Sequence, residues 1–197
     1  MNLHLIKKLV VVLPLLLLIS FTGCKNQNET AENEMQANNN NIEKAVAVIR
    51  PLNNSKVHGI VYFNKVSNGI EVIADIEGLS QGKHGFHIHE FGDLRSEDGT
   101  SAGGHFNPYG KHHGAPGSDD SHTGDLGNIV APDSLTTAHY EYTSSAISFS
   151  GAGSIIGRCV IIHADEDDLT SQPSGNAGKR IAGGVIGVAN PMFNSGS

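Results

Sequence analysis

Lys56-Val57-His58-Gly59-Ile60-Val61-Tyr62-Phe63-Asn64-Lys65-Val66, then Ser67-Asn68-Gly69, then Ile70-Glu71-Val72-Ile73-Ala74-Asp75-Ile76-Glu77: two runs rich in Val, Ile, Tyr and Phe stand on either side of a short polar break. In the second run apolar residues recur at alternate positions, the period of a strand with one buried face, and Asn68-Gly69 is the expected hairpin turn. The same texture continues outward, with further strands expected near Val46 to Arg50, Gly85 to His89, Thr136 to Tyr142, Ile155 to His163 and Gly184 to Ala189. No long stretch holds a helical period, so the domain reads as all-β. Two polar stretches, Gly92 to Asn128 and Asp165 to Arg180, are too long for hairpin loops, and ordered loops of that length usually carry function.

The N-terminus is of another kind. Residues 1–23 combine Lys7 and Lys8 with an apolar core from Leu9 to Phe21 and a small-residue end, the pattern of an export signal. The core is short and broken by Pro14, which argues against a permanent transmembrane helix. Thr22-Gly23-Cys24 resembles a bacterial lipoprotein signal, with Phe21 where leucine is usual. On that reading Cys24 is lipidated and anchors the chain to a membrane of the cell envelope; the alternative is an ordinary secretory peptide with an incidental cysteine. Residues 24–44 are rich in Asn, Gln and Glu, a composition that cannot offset its ordering entropy, and read as a tether. Residues 45–197 are the expected folded domain. Removing residues 1–23 takes away two lysines and no acid, so the formal charge moves from −7 to −9. So acidic a chain is a poor partner for nucleic acid.

Eleven histidines occur in the 197 residues, and His87, His89, His105, His113 and His122 are among those that fall before Asp125 in one Gly-rich stretch. His87 and His89 are separated by one residue on an expected strand, so both point to one face. His105, His113, His122 and Asp125 make a three-nitrogen, one-carboxylate set suited to tetrahedral zinc. His87, His89 and His163 are all nitrogen, which suits copper. His105 could serve both ions if its ring loses both protons.

Gly85-Phe86-His87-Ile88-His89-Glu90-Phe91-Gly92, Gly104-His105-Phe106-Asn107-Pro108, His122-Thr123-Gly124-Asp125-Leu126-Gly127-Asn128 and Gly175-Asn176-Ala177-Gly178-Lys179-Arg180 together resemble the copper/zinc superoxide dismutases, in order from about Lys56 to Ala189. The resemblance implies an eight-stranded Greek-key β-barrel, flattened and immunoglobulin-like, with two long functional loops. It implies one copper per subunit on His87, His89, His105 and His163, and one zinc per subunit on His105, His113, His122 and Asp125. Asp167 matches a carboxylate that hydrogen-bonds a ligand histidine of each metal. Arg180 matches the arginine that attracts and orients superoxide, the implied substrate, and His105 the ring that can pass a proton to the product. His84 matches a structural histidine, and His112, His58 and His139 have no implied ligand role.

Gly184-Val185-Ile186-Gly187-Val188 and Ile155-Ile156-Gly157 resemble dimer contacts, so a homodimer is implied. The chain departs from the family where its intrasubunit disulfide would be: Gly99 and Gly183 stand in the two cysteine places. Such a bond is worth about 2 to 5 kcal/mol, and without it the loop from Gly92 to Gly104 is expected to loosen. Cys159, on an expected strand, reads as a small buried hydrophobe. The stretch Thr170 to Asn176 is short for the family. The competing readings are a non-enzymatic copper- and zinc-binding envelope lipoprotein and an adhesion domain; the latter would not need seven ligands in working order.

Overall fold

The computed structural model describes residues 42–193; the export signal, Cys24 and nearly all of the tether lie outside them. Eight strands follow one another: β1 (Lys44–Pro51), β2 (His58–Val66), β3 (Gly69–Glu77), β4 (Gly82–His89), β5 (Asp125–Ala131), β6 (Ala138–Ser144), β7 (Cys159–His163) and β8 (Arg180–Val188). All neighbours pair antiparallel in the order β5-β4-β7-β8-β1-β2-β3-β6. The edge strands meet where Tyr140 Oη on β6 donates to the Leu126 carbonyl on β5 at 2.8 Å, so the sheet curls into a nearly closed barrel. This is the all-β Greek-key barrel expected, with, among the described residues, one short 3-10 turn at Thr100–Ala102.

Alternation builds the interior. Ala45, Ala47 and Ile49 on β1, Val61 and Phe63 on β2, and Ile70, Val72, Ala74 and Ile76 on β3 are buried, while their neighbours face out. Phe86 on β4 is buried with Tyr140 packed edge-on, ring centroids 4.9 Å apart. Each such buried aromatic or branched side chain contributes about 1.5–3 kcal/mol through the apolar surface it removes from water.

Several boundaries differ from those expected. The hairpin turn is Ser67-Asn68, because Gly69 already pairs with Val66. Asp125 to Asn128, expected in the long loop, begin β5, whose Asp-Leu-Gly-Asn start hides the strand pattern. Ile155 to Arg158 precede β7 rather than belong to it: the Ile155 carbonyl accepts from the Arg158 N–H, a turn that passes through Gly157 at φ 79°. β8 starts at Arg180 rather than Gly184, which places that arginine beside the end of β7, with His163 opposite it. β1 starts at Lys44, one residue inside the expected tether. Two long segments remain between strands, residues 90–124 and 164–179; because β4 and β7 are antiparallel, the first leaves the pair beside Cys159 and the second beside Phe86, at the opposite end.

Candidate metal centre

On β4, Phe86 and Ile88 fill the core while His87 and His89 point to the other face, which the long loops bury. The first loop returns alongside this strand: His105 forms an isolated bridge with His89, the Phe106 N–H donates to the Ile88 carbonyl (2.8 Å), and the Ile88 N–H donates to Gly124 (2.9 Å). β7 is paired to β4 and ends on His163. Four imidazoles, His87, His89, His105 and His163, thereby come together, with donor atoms within 4.8 Å of one another. His105, His113, His122 and Asp125 form a second buried group of the same compactness. These are the residues singled out in the sequence, and His105 is common to both.

Hydrogen bonds fix which nitrogen of each ring is free. His89 Nδ1 donates to the Gly103 carbonyl (3.0 Å) and His163 Nδ1 to Gly178 (3.2 Å), which leaves both Nε2 atoms as acceptors 3.4 Å apart. His87 donates through Nε2 to Asp167 Oδ2 (2.8 Å), and its Nδ1 has no partner. His105 turns Nδ1 to Asp125 Oδ1 (2.8 Å), and its Nε2, buried, has none. Burial holds these four rings below the ordinary histidine range: His105 to about 4 against the opposing Asp125 bond, and His163 to about 3 with nearby His87 adding to the effect, while His87 is shifted down from that range and His89 well down from it. Neutral rings with inward lone pairs are the form that binds a metal, and buried acceptors facing each other without a donor call for a cation.

The second group makes the same case. Asp125 Oδ1 has Nδ1 atoms of His105, His113 and His122 at 2.8, 3.1 and 3.2 Å, and its Oδ2 accepts the N–H groups of Gly114 and His122. Burial pushes the Asp125 carboxyl up, but the bonds to the three histidines outweigh it and hold it far below the usual range. His113 goes the other way: burial lowers it, yet Asp125 and Asp167 raise it to about 9. Positive charge is wanted between these groups, and three nitrogens with one carboxylate oxygen suit zinc. The all-nitrogen first group suits copper.

Asp167 joins the two groups. Its Oδ2 takes His87 Nε2–H and its Oδ1 takes His113 Nε2–H (2.9 Å), while Asn128 on β5 binds its backbone on both sides at 2.8 and 2.9 Å. Gln172 clamps the backbone of His113 with bonds of 2.8 and 2.9 Å. Asn128 and Gln172 carried no sequence signal of these roles, since only the folded loops bring them to Asp167 and His113.

Arg180 is half-buried at the start of β8, its guanidinium donating to the Gly99 carbonyl and, at 2.6 Å, to Gly103. Gly103 is the carbonyl that also orients His89. Lys179 is exposed beside it. The histidines outside the site behave as expected: buried His84 has its ring nitrogens near the carbonyls of His163 and Ser80, whereas His112 and His139 form exposed pairs with Asp120 and Asp75. His58 is exposed.

A family model described as copper/zinc superoxide dismutase matches residues 57–186. A solved structure described as that of the clock protein EA4 is similar over 75% of this chain and 95% of its own, with 39% identity and a TM-score of 0.68.

Proposed function

Because the chain belongs to the copper/zinc superoxide dismutase family, we propose that it disproportionates superoxide, two anions and two protons giving one oxygen and one hydrogen peroxide. The observation that carries this reading is His105, one ring placed between two buried ligand groups with a nitrogen for each. Copper held by His87, His89, His105 and His163 would supply a one-electron redox couple, and zinc held by His105, His113, His122 and Asp125 a fixed charge without redox chemistry. His105 keeps Nδ1 on the Asp125 side and can hold a proton at Nε2 for delivery to the peroxide. Arg180 binds and orients the anion with a planar, permanently charged donor. In a chain whose exported form carries −9, that local charge has to draw in a substrate that the whole molecule repels.

A protein that merely stores copper and zinc needs the ligands but not a guanidinium held beside them. Arg180→Gln is therefore expected to lower the rate about tenfold and to flatten its dependence on ionic strength, with copper content unchanged. Arg180→Lys, which keeps charge but loses the fork, should fall between. Stopped-flow kinetics at several salt concentrations make the comparison, and unchanged rates would remove Arg180 from the mechanism.

We further propose the envelope as its place, with residues 1–23 an export signal, Cys24 a lipid anchor, residues 24–44 a tether, and a homodimer through the outer face of β1 and β8. Val48, Val185 and Val188 are exposed there at 53%, 45% and 58%, which gives a second copy an apolar surface to cover. The role that follows is protection of the envelope against extracytoplasmic superoxide. Metabolic labelling with palmitate, then detergent extraction and sedimentation, reads both features: label lost in Cys24→Ala, and twice the mass of one chain. Unlabelled protein refutes the anchor, and a single-chain mass refutes the dimer.

A further inference from the structure

Between β1 and β2 the chain makes a tight excursion, with Asn53 and Asn54 both left-handed at φ 52° and 59°, a conformation asparagine tolerates better than most residues. This excursion grips two other parts of the protein. The Leu52 N–H donates to the Ile181 carbonyl (2.9 Å), Ser55 Oγ donates to the same carbonyl, and Asn53 Nδ2 donates to the Arg180 carbonyl (2.9 Å), all at the start of β8. The Asn53 N–H donates to Glu97 (2.9 Å) in the first long loop. At the centre, the Leu52 side chain is buried with Ala102, Cys159 and Ile161, and Leu94 packs over them.

A Cβ placed on Gly99 would lie 2.9 Å from Leu52 Cδ1, and one on Gly183 would lie 3.3 Å from the same methyl. One leucine methyl thus occupies the space between the two glycines. Gly99 and Ala102, against which Leu52 lies, belong to the segment whose Gly99 and Gly103 carbonyls hold the guanidinium of Arg180. Asn53 holds the main-chain carbonyl of that same arginine.

We propose that Leu52 is a positioning residue for Arg180: its side chain and the loop that carries it form an apolar clasp that fixes, without a covalent bond, the segment from which the guanidinium hangs. The proposal rests on the reading of Arg180 as the anion-orienting group. Leu52 itself touches no substrate and no ligand histidine. Packing of this kind is confined to the folded state, so its loss shows first in the segment it supports.

The test uses the full chain loaded with copper and zinc and azide as a small anionic reporter, titrated by its visible absorption. Leu52→Ala is expected to weaken azide binding about threefold, the size of a loosened rather than a lost charge contact. Amide hydrogen exchange from Gly99 to Gly103 should quicken by about tenfold or more, with metal content unchanged. Leu52→Met should restore both. In an Arg180→Gln background the same Leu52→Ala change should leave azide affinity where it is, because its effect passes through the arginine. Equal losses in the two backgrounds, or an azide affinity that does not move, overturn the proposal. Leu52→Val gives the same readings in smaller measure if the alanine variant does not fold. Weakened azide binding in a protein that does not consume superoxide would sink the enzymatic reading and leave the clasp standing; the opposite pattern would do the reverse.

Discussion

His105→Ala is expected to abolish zinc binding, to weaken copper binding and to reduce superoxide disproportionation by more than about a hundredfold. Groups that only hydrogen-bond a metal ligand already cost 10–100-fold when removed, and His105 is itself a member of both ligand groups. The variant takes away Nε2 from the first group and Nδ1, 2.8 Å from Asp125, from the second. His122→Ala separates the two effects, because His122 belongs to the second group alone. That variant should lose zinc while keeping copper. Metal analysis by mass spectrometry, with the rate measured on the same samples, makes the comparison. If His105→Ala keeps full activity, the shared ring is not part of the mechanism.

Gly175→Ala should have an effect nearly as large from a residue that offers no ligand atom. Gly175 sits at φ 64°, and a Cβ there would stand inside the Asp167 carboxylate and 2.7 Å from His113 Nε2. The left-handed conformation alone costs a non-glycine residue about 1–2 kcal/mol. The heavier consequence is steric: Asp167 must withdraw, and His87 and His113 lose the acceptor that orients each ring. Copper and zinc affinities are both expected to fall about 10–100-fold, read by competition against chelators of known strength. Asp167→Ala should reproduce the pattern with no strain at residue 175, which tests whether the carboxylate is the route. Normal affinity for both metals in Gly175→Ala would rule the route out.

Most of the barrel was legible because alternation in β1, β2 and β3 is a direct imprint of one buried face. β5 was not, since Asp125 and Asn128 serve the metal centre rather than the pleat and Gly127 between them offers no side chain to mark the alternation. The ligand-bearing residues could be named in advance because histidines crowd one Gly-rich stretch and the motifs around them resemble those of a known family. Their supports were hidden for the opposite reason. Asn128, Gln172 and the Gly103 carbonyl act through groups that nearly every loop possesses, and only the folded chain shows which of them faces His113, His89 or Asp167. Leu52 belongs with these: the sequence marks the two glycines as a gap, and only the folded chain brings a side chain from just after β1 to fill it.

The two oxygens of Asp167, one on His87 and one on His113, have a thermodynamic consequence. An ion that aligns His113 draws on the carboxylate that aligns His87, so the occupancies of the two ligand groups are linked, and linkage of binding free energies is reciprocal. By whatever factor zinc alters the affinity for copper, copper must alter the affinity for zinc. The order in which the metals arrive then changes the route to the loaded protein but not its end point.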